Sequence, residues 1–435
     1  MQKHTYYTPR TGGETVFGVN ASTLKFGAGC LDELGGDALA LGLKRVGFFV
    51  DPRVRATDPG ARAIESLRQA GIDTAVYDHC KVEPTNHSFM EAIDFARDGN
   101  FDGFISLGGG SVMDTAKAAN LYTTHPAGFL DYVNAPIGGG VPIPGPVKPH
   151  IACPTTSGTG SEMTGAAIFD LVEQQVKTGI SNKFLKPTLA VVDPSTTYSL
   201  PGGVVASTGF DVFTHAIESY TARPFTSYDR PDSPKTRPVY QGANPWSDIG
   251  AMQAIRLGGK YIVRGVRSAD DHEARDALMF ASALAGLAFG NAGVHIPHAM
   301  SYSVAGLNHS FVATGYEDDN PMVPHGISVV LNAPAAFRFT APVAPERHLE
   351  VAAALGADTS GVGEDAAGAL LADTLIAMMK ATGIPNGLAD LGYGEGDIPA
   401  LVKGAQQQQR LLVVSPRPVE TADLEGLYRD ALRYW

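Results

Sequence analysis

Three cysteines in 435 residues, Cys30, Cys80 and Cys153, form no CxxC pair and no even-numbered disulfide framework. The fold must close without covalent staples, and a reducing compartment is the better fit. Basic charge is short too: 33 Lys+Arg against 45 Asp+Glu leave a net charge of −12. That excludes a broad electrostatic footprint for nucleic acid, so any anionic ligand must be gripped by a local pocket of donors. The opening stretch MQKHTYYTPRTGGETVFG has no apolar core of a signal peptide, from which a cytoplasmic location is expected. One segment, ALMFASALAGLAFGNAGVHIPHAMSY (277–302), is free of Asp, Glu, Lys and Arg, but Asn291, Pro297 and two histidines break it. It reads as a helix buried in protein, followed by polar residues aimed at a ligand, and no membrane partner is expected. Internal repeats are absent.

What is present divides naturally into two domains at this length. Strand-like RVGFFV (45–50), TAVYD (74–78) and FDGFISLG (101–108) alternate with helix-like GARAIESLRQAG (60–71) and SFMEAIDFARDG (88–99). Further strands are expected at PHIACP (149–154) and TLAVVD (188–193). This spacing predicts a parallel, Rossmann-like α/β domain over 1–199. From Pro201 the pattern turns helical, as at 247–266, 272–289 and 364–383, so an all-α domain is expected over 200–435. Two Pro/Gly-rich loops, 134–149 and 223–245, are long for compact domains, as functional loops often are.

ISLGGGSVMDTAK (105–117) is a strand, a glycine turn and a helix start. Gly108, Gly109 and Gly110 let a backbone approach a ligand, and the helix N-terminus offers free N–H groups to a pyrophosphate. The spacing matches neither GxGxxG nor a Walker loop, so a plain tight turn with Ser111 as N-cap is the competing reading. PTTSGTGSE (154–162) follows another strand and is dense in hydroxyls, with Thr155, Thr156 and Thr159 among them. Asp51 closes RVGFFV, where a carboxylate accepts from a ribose hydroxyl or simply caps the turn in DPR. Together the three segments point to a dinucleotide, with NAD expected.

Of twelve histidines, His295, His298, His309 and His325 fall within 31 positions. Asp211 and His215 in GFDVFTHAIESY share a helix face at i, i+4. Alone, that pair is as well read as a carboxylate orienting a structural histidine as it is as two ligands. With GVHIPHAMSY and VPHG downstream, an N/O site for a divalent transition metal is the better reading.

These segments, with VEPTNHSFMEAIDFA, GGGSVMDTAKAANLY, PTTSGTGSEMTGAAIFD, TRPVYQGANPWSDI and VPHGISVVL, resemble the group III iron-dependent alcohol dehydrogenases from about Leu24 to the C-terminus. TRPVYQGANP and GNAGVHIPHAMSY are closer to the hydroxyacid–oxoacid transhydrogenase branch. The resemblance implies a dehydroquinate synthase-like architecture and a homo-oligomer, with Asp211, His215, His298 and His325 as catalytic metal ligands for Fe²⁺, Zn²⁺ competing. It implies that Gly109, Gly110, Ser111, Asp114, Thr155, Thr156, Thr159 and Lys177 line NAD(H). The implied reaction moves hydride between small hydroxyacids and oxoacids, 4-hydroxybutyrate and 2-oxoglutarate being the expected pair. An ordinary NAD-dependent alcohol or 4-hydroxybutyrate dehydrogenase is the alternative. The chain departs from the wider pattern at three places: Tyr302 replaces a second histidine, His295 is unusual, and Glu83 stands where Asn is common. An acid substrate needs a cation, for which Arg237, Lys403, Arg410 and Arg417 are candidates, each set against the reading of a solvated surface charge.

Overall fold

The computed structural model describes residues 6–435 except 9, 175, 309 and 317–320, and except the side chain of 235. His309 therefore lies outside the described residues. The chain divides into two compact units, one spanning Ala21–Leu200 and the other made of the residues up to Asn20 together with Pro201–Trp435.

In the Ala21–Leu200 unit, six strands form a parallel sheet: β1 (Thr23–Phe26), β2 (Arg45–Val50), β3 (Asp73–Tyr77), β4 (Gly103–Gly108), β5 (His150–Pro154) and β8 (Leu189–Val192). Their order is β1-β8-β5-β4-β2-β3. Every residue of β4 and β5 is buried, which is why both read as continuous apolar runs rather than alternating ones. The helices are punctuated as the sequence suggests. Thr85 opens Asn86–Gly99 with a reciprocal capping box to Ser88, and Asn100 ends it in the left-handed region at φ 49°.

An antiparallel hairpin, β6 (Ala166–Leu171) with β7 (Val176–Ser181), was not legible beforehand, nor was β1, whose four residues are mostly exposed. Hairpin burial depends on side chains from distant segments, with Phe89 and Phe129 packed on Phe169.

The second unit is helical: Gly202–Thr221, Pro245–Arg267, His272–Ala292, Ile296–Leu307 and His325–Val330 form the part that carries the site. The segment 277–302 is broken, because His272–Ala292 and Ile296–Leu307 meet at a 104° bend. Among the described residues no single helix is long and apolar enough to cross a membrane.

The described residues up to Asn20 group with Pro201–Trp435 and not with the α/β unit of the expected 1–199 span. Glu14 receives two bonds from Arg237, Tyr6 donates to Asp248 at 2.7 Å, and the Asn20 amide donates to Asn291 at 2.9 Å. These polar anchors lie in the helical unit, and the long 223–245 loop supplies one of them.

Candidate functional site

The sequence of strands β2, β4 and β5 in the sheet places their C-terminal ends side by side, with Val50 opposite Leu107 and Gly108 opposite Pro154. Asp51, Gly109 and Thr155 are the next residues of each strand, so three predicted segments converge on one sheet edge. The connections diverge here, since β3 lies on one side of β2 and β4 on the other, which is where open parallel sheets bind ligands. The helix Gly110–Thr124 starts from this edge with Gly109 as its N-cap. A Cβ on Gly110 would lie 2.7 Å from the Thr159 side chain, and one on Gly109 would lie 3.4 Å from Thr156 Oγ1. The glycine turn and the hydroxyl-rich loop are therefore in close contact, and only glycine fits between them at position 110.

Several predicted cofactor side chains are already engaged by the protein. Asp51 caps its own short helix, accepting from the amides of Arg53 and Val54. Asp114 accepts from Ser161 Oγ at 2.6 Å and from the Ile168 amide at 2.9 Å, and Lys117, fully buried, faces it at 3.4 Å. Ser111 Oγ accepts from the amide of Glu83, a residue held at φ 52°. Lys177 is buried between Glu83 and Asp170. Burial opposes its charge, but the two carboxylates hold its pKa well above the usual lysine value. Glu83, which departs from the wider pattern, is thus one of two counter-ions of Lys177.

The second cluster lies wholly in the helical unit. Gly202–Thr221 carries Asp211 and His215 one turn apart, Ile296–Leu307 carries His298 in its first turn, and His325 opens His325–Val330. Gly326 explains how the last helix comes close enough: a Cβ there would sit 1.9 Å from the Ser207 carbonyl oxygen. From Asp211 Oδ1 the distances are 3.6 Å to His215 Nδ1, 3.5 Å to His298 Nε2 and 3.8 Å to His325 Nε2. All four candidate ligand atoms lie within 4.8 Å of one another. Ligands about 2.1 Å from a tetrahedral ion stand about 3.4 Å apart, so this spacing suits a common ion.

Three of those atoms, Asp211 Oδ1, His215 Nδ1 and His298 Nε2, are buried with no hydrogen-bond partner among the described residues. An unanswered buried polar atom costs about 1–3 kcal/mol, and three converging on one point are accounted for by an ion that bonds them all.

Glu218, which sequence reading passed over, completes the arrangement. It is fully buried on the same helix, three residues after His215. Its Oε2 pairs with His298 Nδ1, while Oε1 accepts from the amides of His295 at 2.8 Å and His298 at 3.3 Å. A proton held on Nδ1 leaves the Nε2 lone pair facing the cluster. The clue was present in HAIESY, since i+3 shares a face with His215.

The electrostatics couple the same side chains. Burial opposes ionisation of Asp211, yet the three imidazoles hold its carboxyl well below the usual range. Burial pushes His215 down to about 3, whereas Glu218 and Asp211 overcome burial and lift His298 to about 9. Two buried carboxylates here require compensating positive charge. Phe289 stacks on His215 with ring centroids 3.9 Å apart and shields that side from water.

His295 is not part of the cluster. Its Nε2 meets Thr221 Oγ1 at 3.1 Å, and burial lowers its pKa to about 4. Tyr302 accepts from Arg410 at 2.8 Å. Of the other candidate cations, Arg237 is answered by Glu14, Arg417 donates to the Phe339 carbonyl at 3.0 Å, and Lys403 is exposed.

Known proteins resemble the chain over nearly its whole length. The family described as iron-containing alcohol dehydrogenase matches residues 21–194, and its C-terminal counterpart, Fe-containing alcohol dehydrogenase family, matches residues 239–432. The mitochondrial hydroxyacid-oxoacid transhydrogenase of Bos taurus is 50% identical over 96% of this chain and 90% of its own. A probable mitochondrial hydroxyacid-oxoacid transhydrogenase of Dictyostelium discoideum is 43% identical over 99% of this chain and 82% of its own. Among solved structures, a 1,3-propanediol oxidoreductase superposes with a TM-score of 0.83 at 26% identity, covering 96% of this chain and all of that one. The sulfoacetaldehyde reductase of Bifidobacterium kashiwanohense, solved in complex with NAD⁺, gives 0.78 at 25% identity, covering 96% and 99%.

These relatives overturn the cytoplasmic expectation, because the transhydrogenases are mitochondrial by name. Dispersed, unpaired thiols point to a reducing compartment, and that property does not separate cytoplasm from mitochondrion. The chain belongs to the iron-containing alcohol dehydrogenase family.

Proposed function

We propose that this chain is a hydroxyacid–oxoacid transhydrogenase, working with a nicotinamide cofactor and a divalent metal. The observation that carries the metal half is the convergence of three partnerless buried ligand atoms around Asp211. Near-50% identity to transhydrogenases over almost the full chain supports the reaction class. Iron is proposed ahead of zinc on the family's description.

In the expected reaction 4-hydroxybutyrate loses a hydride and a proton to become succinate semialdehyde, and 2-oxoglutarate gains both to become 2-hydroxyglutarate. Two electrons pass from one substrate to the other, with no net oxidant. A divalent ion in the cluster supplies Lewis acidity toward the hydroxyl or carbonyl oxygen, and a bound nicotinamide supplies the hydride carrier.

The chain's own residues do the rest. Asp211, His215, His298 and His325 would hold the ion, Glu218 would fix the His298 tautomer, and Phe289 covers one face of His215. For the dinucleotide we propose the edge formed by Gly109, Gly110, Ser111, Thr155, Thr156 and Thr159, with Asp51 at the ribose end. Asp114 and Lys177 brace this edge from behind through their buried pairs.

The test is anaerobic purification followed by incubation with 4-hydroxybutyrate, with and without 2-oxoglutarate. The expected result is equal formation of succinate semialdehyde and 2-hydroxyglutarate, dependent on both acids, without added NAD. Sustained free NADH from hydroxyacid and NAD alone would instead assign an ordinary dehydrogenase.

A further inference from the structure

Arg410, partly buried, differs from Arg347 and Arg62 in what answers it. Arg347 is met by Asp248 at 2.6 Å, and Arg62 by Asp193 and Asp32 at 3.0 and 2.7 Å. Arg410 has no carboxylate among the described residues. It donates to Tyr302 Oη at 2.8 Å, shares a hydrogen bond with the Tyr240 phenol, and lies 5.7 Å from the Tyr302 ring centroid. A guanidinium is always charged and carries five N–H donors, which two neutral phenols neither balance nor use up.

Its neighbours tie it to the metal cluster. Tyr302 is one helical turn after His298 on Ile296–Leu307, so their Cβ atoms are about 5–6 Å apart on one face. Tyr240 feels the charge of both Arg410 and Glu218, the carboxylate that holds His298. It also packs on Gly293, where a Cβ would fall 2.8 Å from its Cβ and Cγ. Glycine at φ +97° thus brings the phenol in beside the ligand helix. A cation without an anion, held by two phenols within a turn of the ligands, is built to receive one.

We propose that Arg410, oriented by Tyr302 and Tyr240, is the receptor for the substrate carboxylate. The proposal rests on the transhydrogenase reading and adds a reason why one site serves both half-reactions. In 4-hydroxybutyrate, two methylenes separate the carboxylate from the reacting carbon. In 2-hydroxyglutarate, two methylenes separate the distal carboxylate from its reacting carbon. One guanidinium at a fixed distance from the cluster therefore positions the donor alcohol and the acceptor ketone alike. Chain length between carboxylate and reacting carbon becomes the specificity ruler, and uncharged alcohols lose the anchor.

Arg410→Met is expected to raise KM for 4-hydroxybutyrate and for 2-oxoglutarate together, each about 100-fold, as for loss of a charge-assisted pair. Arg410→Lys keeps the charge without the fork and is expected to raise both about tenfold. Metal content at the wild-type level verifies that the cluster is intact. In the wild-type protein, succinate is expected to protect Arg410 from phenylglyoxal, read by peptide mapping, so the idea does not depend on a variant folding. Unchanged KM values in a folded, metal-loaded Arg410→Met, or modification of Arg410 at an undiminished rate under saturating succinate, would overturn it. Wild-type protein that exchanges no hydride between the two acids would sink the functional reading instead, a result separable from either of these.

Discussion

The two candidate sites contrast in how their polar side chains are satisfied. At the sheet edge of the α/β unit, Asp51, Asp114, Ser111 and Lys177 all have partners inside the protein. In the helical unit, Asp211, His215 and His298 each present an atom that makes no hydrogen bond among the described residues. Satisfied side chains suit a frame around a proposed ligand that backbone amides at a helix start would grip. Unanswered lone pairs at one point are themselves free to bind an ion. The same residue types therefore do different work in the two units, and only their partners reveal which.

Removing an unanswered ligand tests this contrast most severely. His215→Ala is expected to lose metal, by elemental analysis, and activity by about 10³-fold or more, while NAD still binds. Full activity in that variant would end the metal assignment. At the frame, Asp114→Ala strands the buried Lys117 and is expected to cost about 3 kcal/mol in denaturant unfolding. If stability were unchanged and only NAD affinity fell, Asp114 would be a ligand contact and the contrast would fail there.

Glu218→Gln sharpens the other side, with metal affinity expected to fall about 10–100-fold in a competition titration, because the His298 tautomer loses its anionic anchor. An unchanged affinity would show that backbone contacts alone orient His298.

The smallest effect concerns histidines that are satisfied, one in each unit. His150 pairs with Ser106 at 2.8 Å, and His348 with Thr340 at 2.9 Å. Burial lowers their pKa values to about 3 and about 4. The unfolded chain therefore takes up these protons first, near pH 6.5, so stability is full above that value and falls as pH drops toward 4. Each is expected to cost roughly 1–2 kcal/mol by pH 5, read as urea midpoints that His150→Asn or His348→Asn flattens against pH. A pH-independent midpoint between 7.5 and 5 would contradict the assignment of both as neutral buried groups.

Much of this was written in local pattern. The strands at 45–50, 101–108 and 149–154 are apolar runs because both faces of β2, β4 and β5 are covered, and periodicity records that directly. Asp211 and His215 were readable as a pair because i and i+4 share a helix face. Glycines at 109 and 110 were readable as close approaches, although not what they approach.

Other features have no local record. The hairpin β6–β7 is buried by Phe89 and Phe129, far away in the chain, and Tyr6, Glu14 and Asn20 are claimed by Asp248, Arg237 and Asn291. The resemblance implies a cofactor contact at Asp114, and packing adds that Ser161, Ile168 and Lys117 surround it.

The sequence by itself determined the alternation of strands and helices, the change to helices after residue 200, and the residue types able to bind metal and dinucleotide, because these depend on neighbours within a few positions. Tertiary structure decided which groups are answered. Glu218 turns His298, Gly326 admits His325 to Asp211, and Arg410 faces two phenols with no carboxylate among the described residues. A hydrogen bond or its absence is a property of two groups in space, and chain spacing does not encode it.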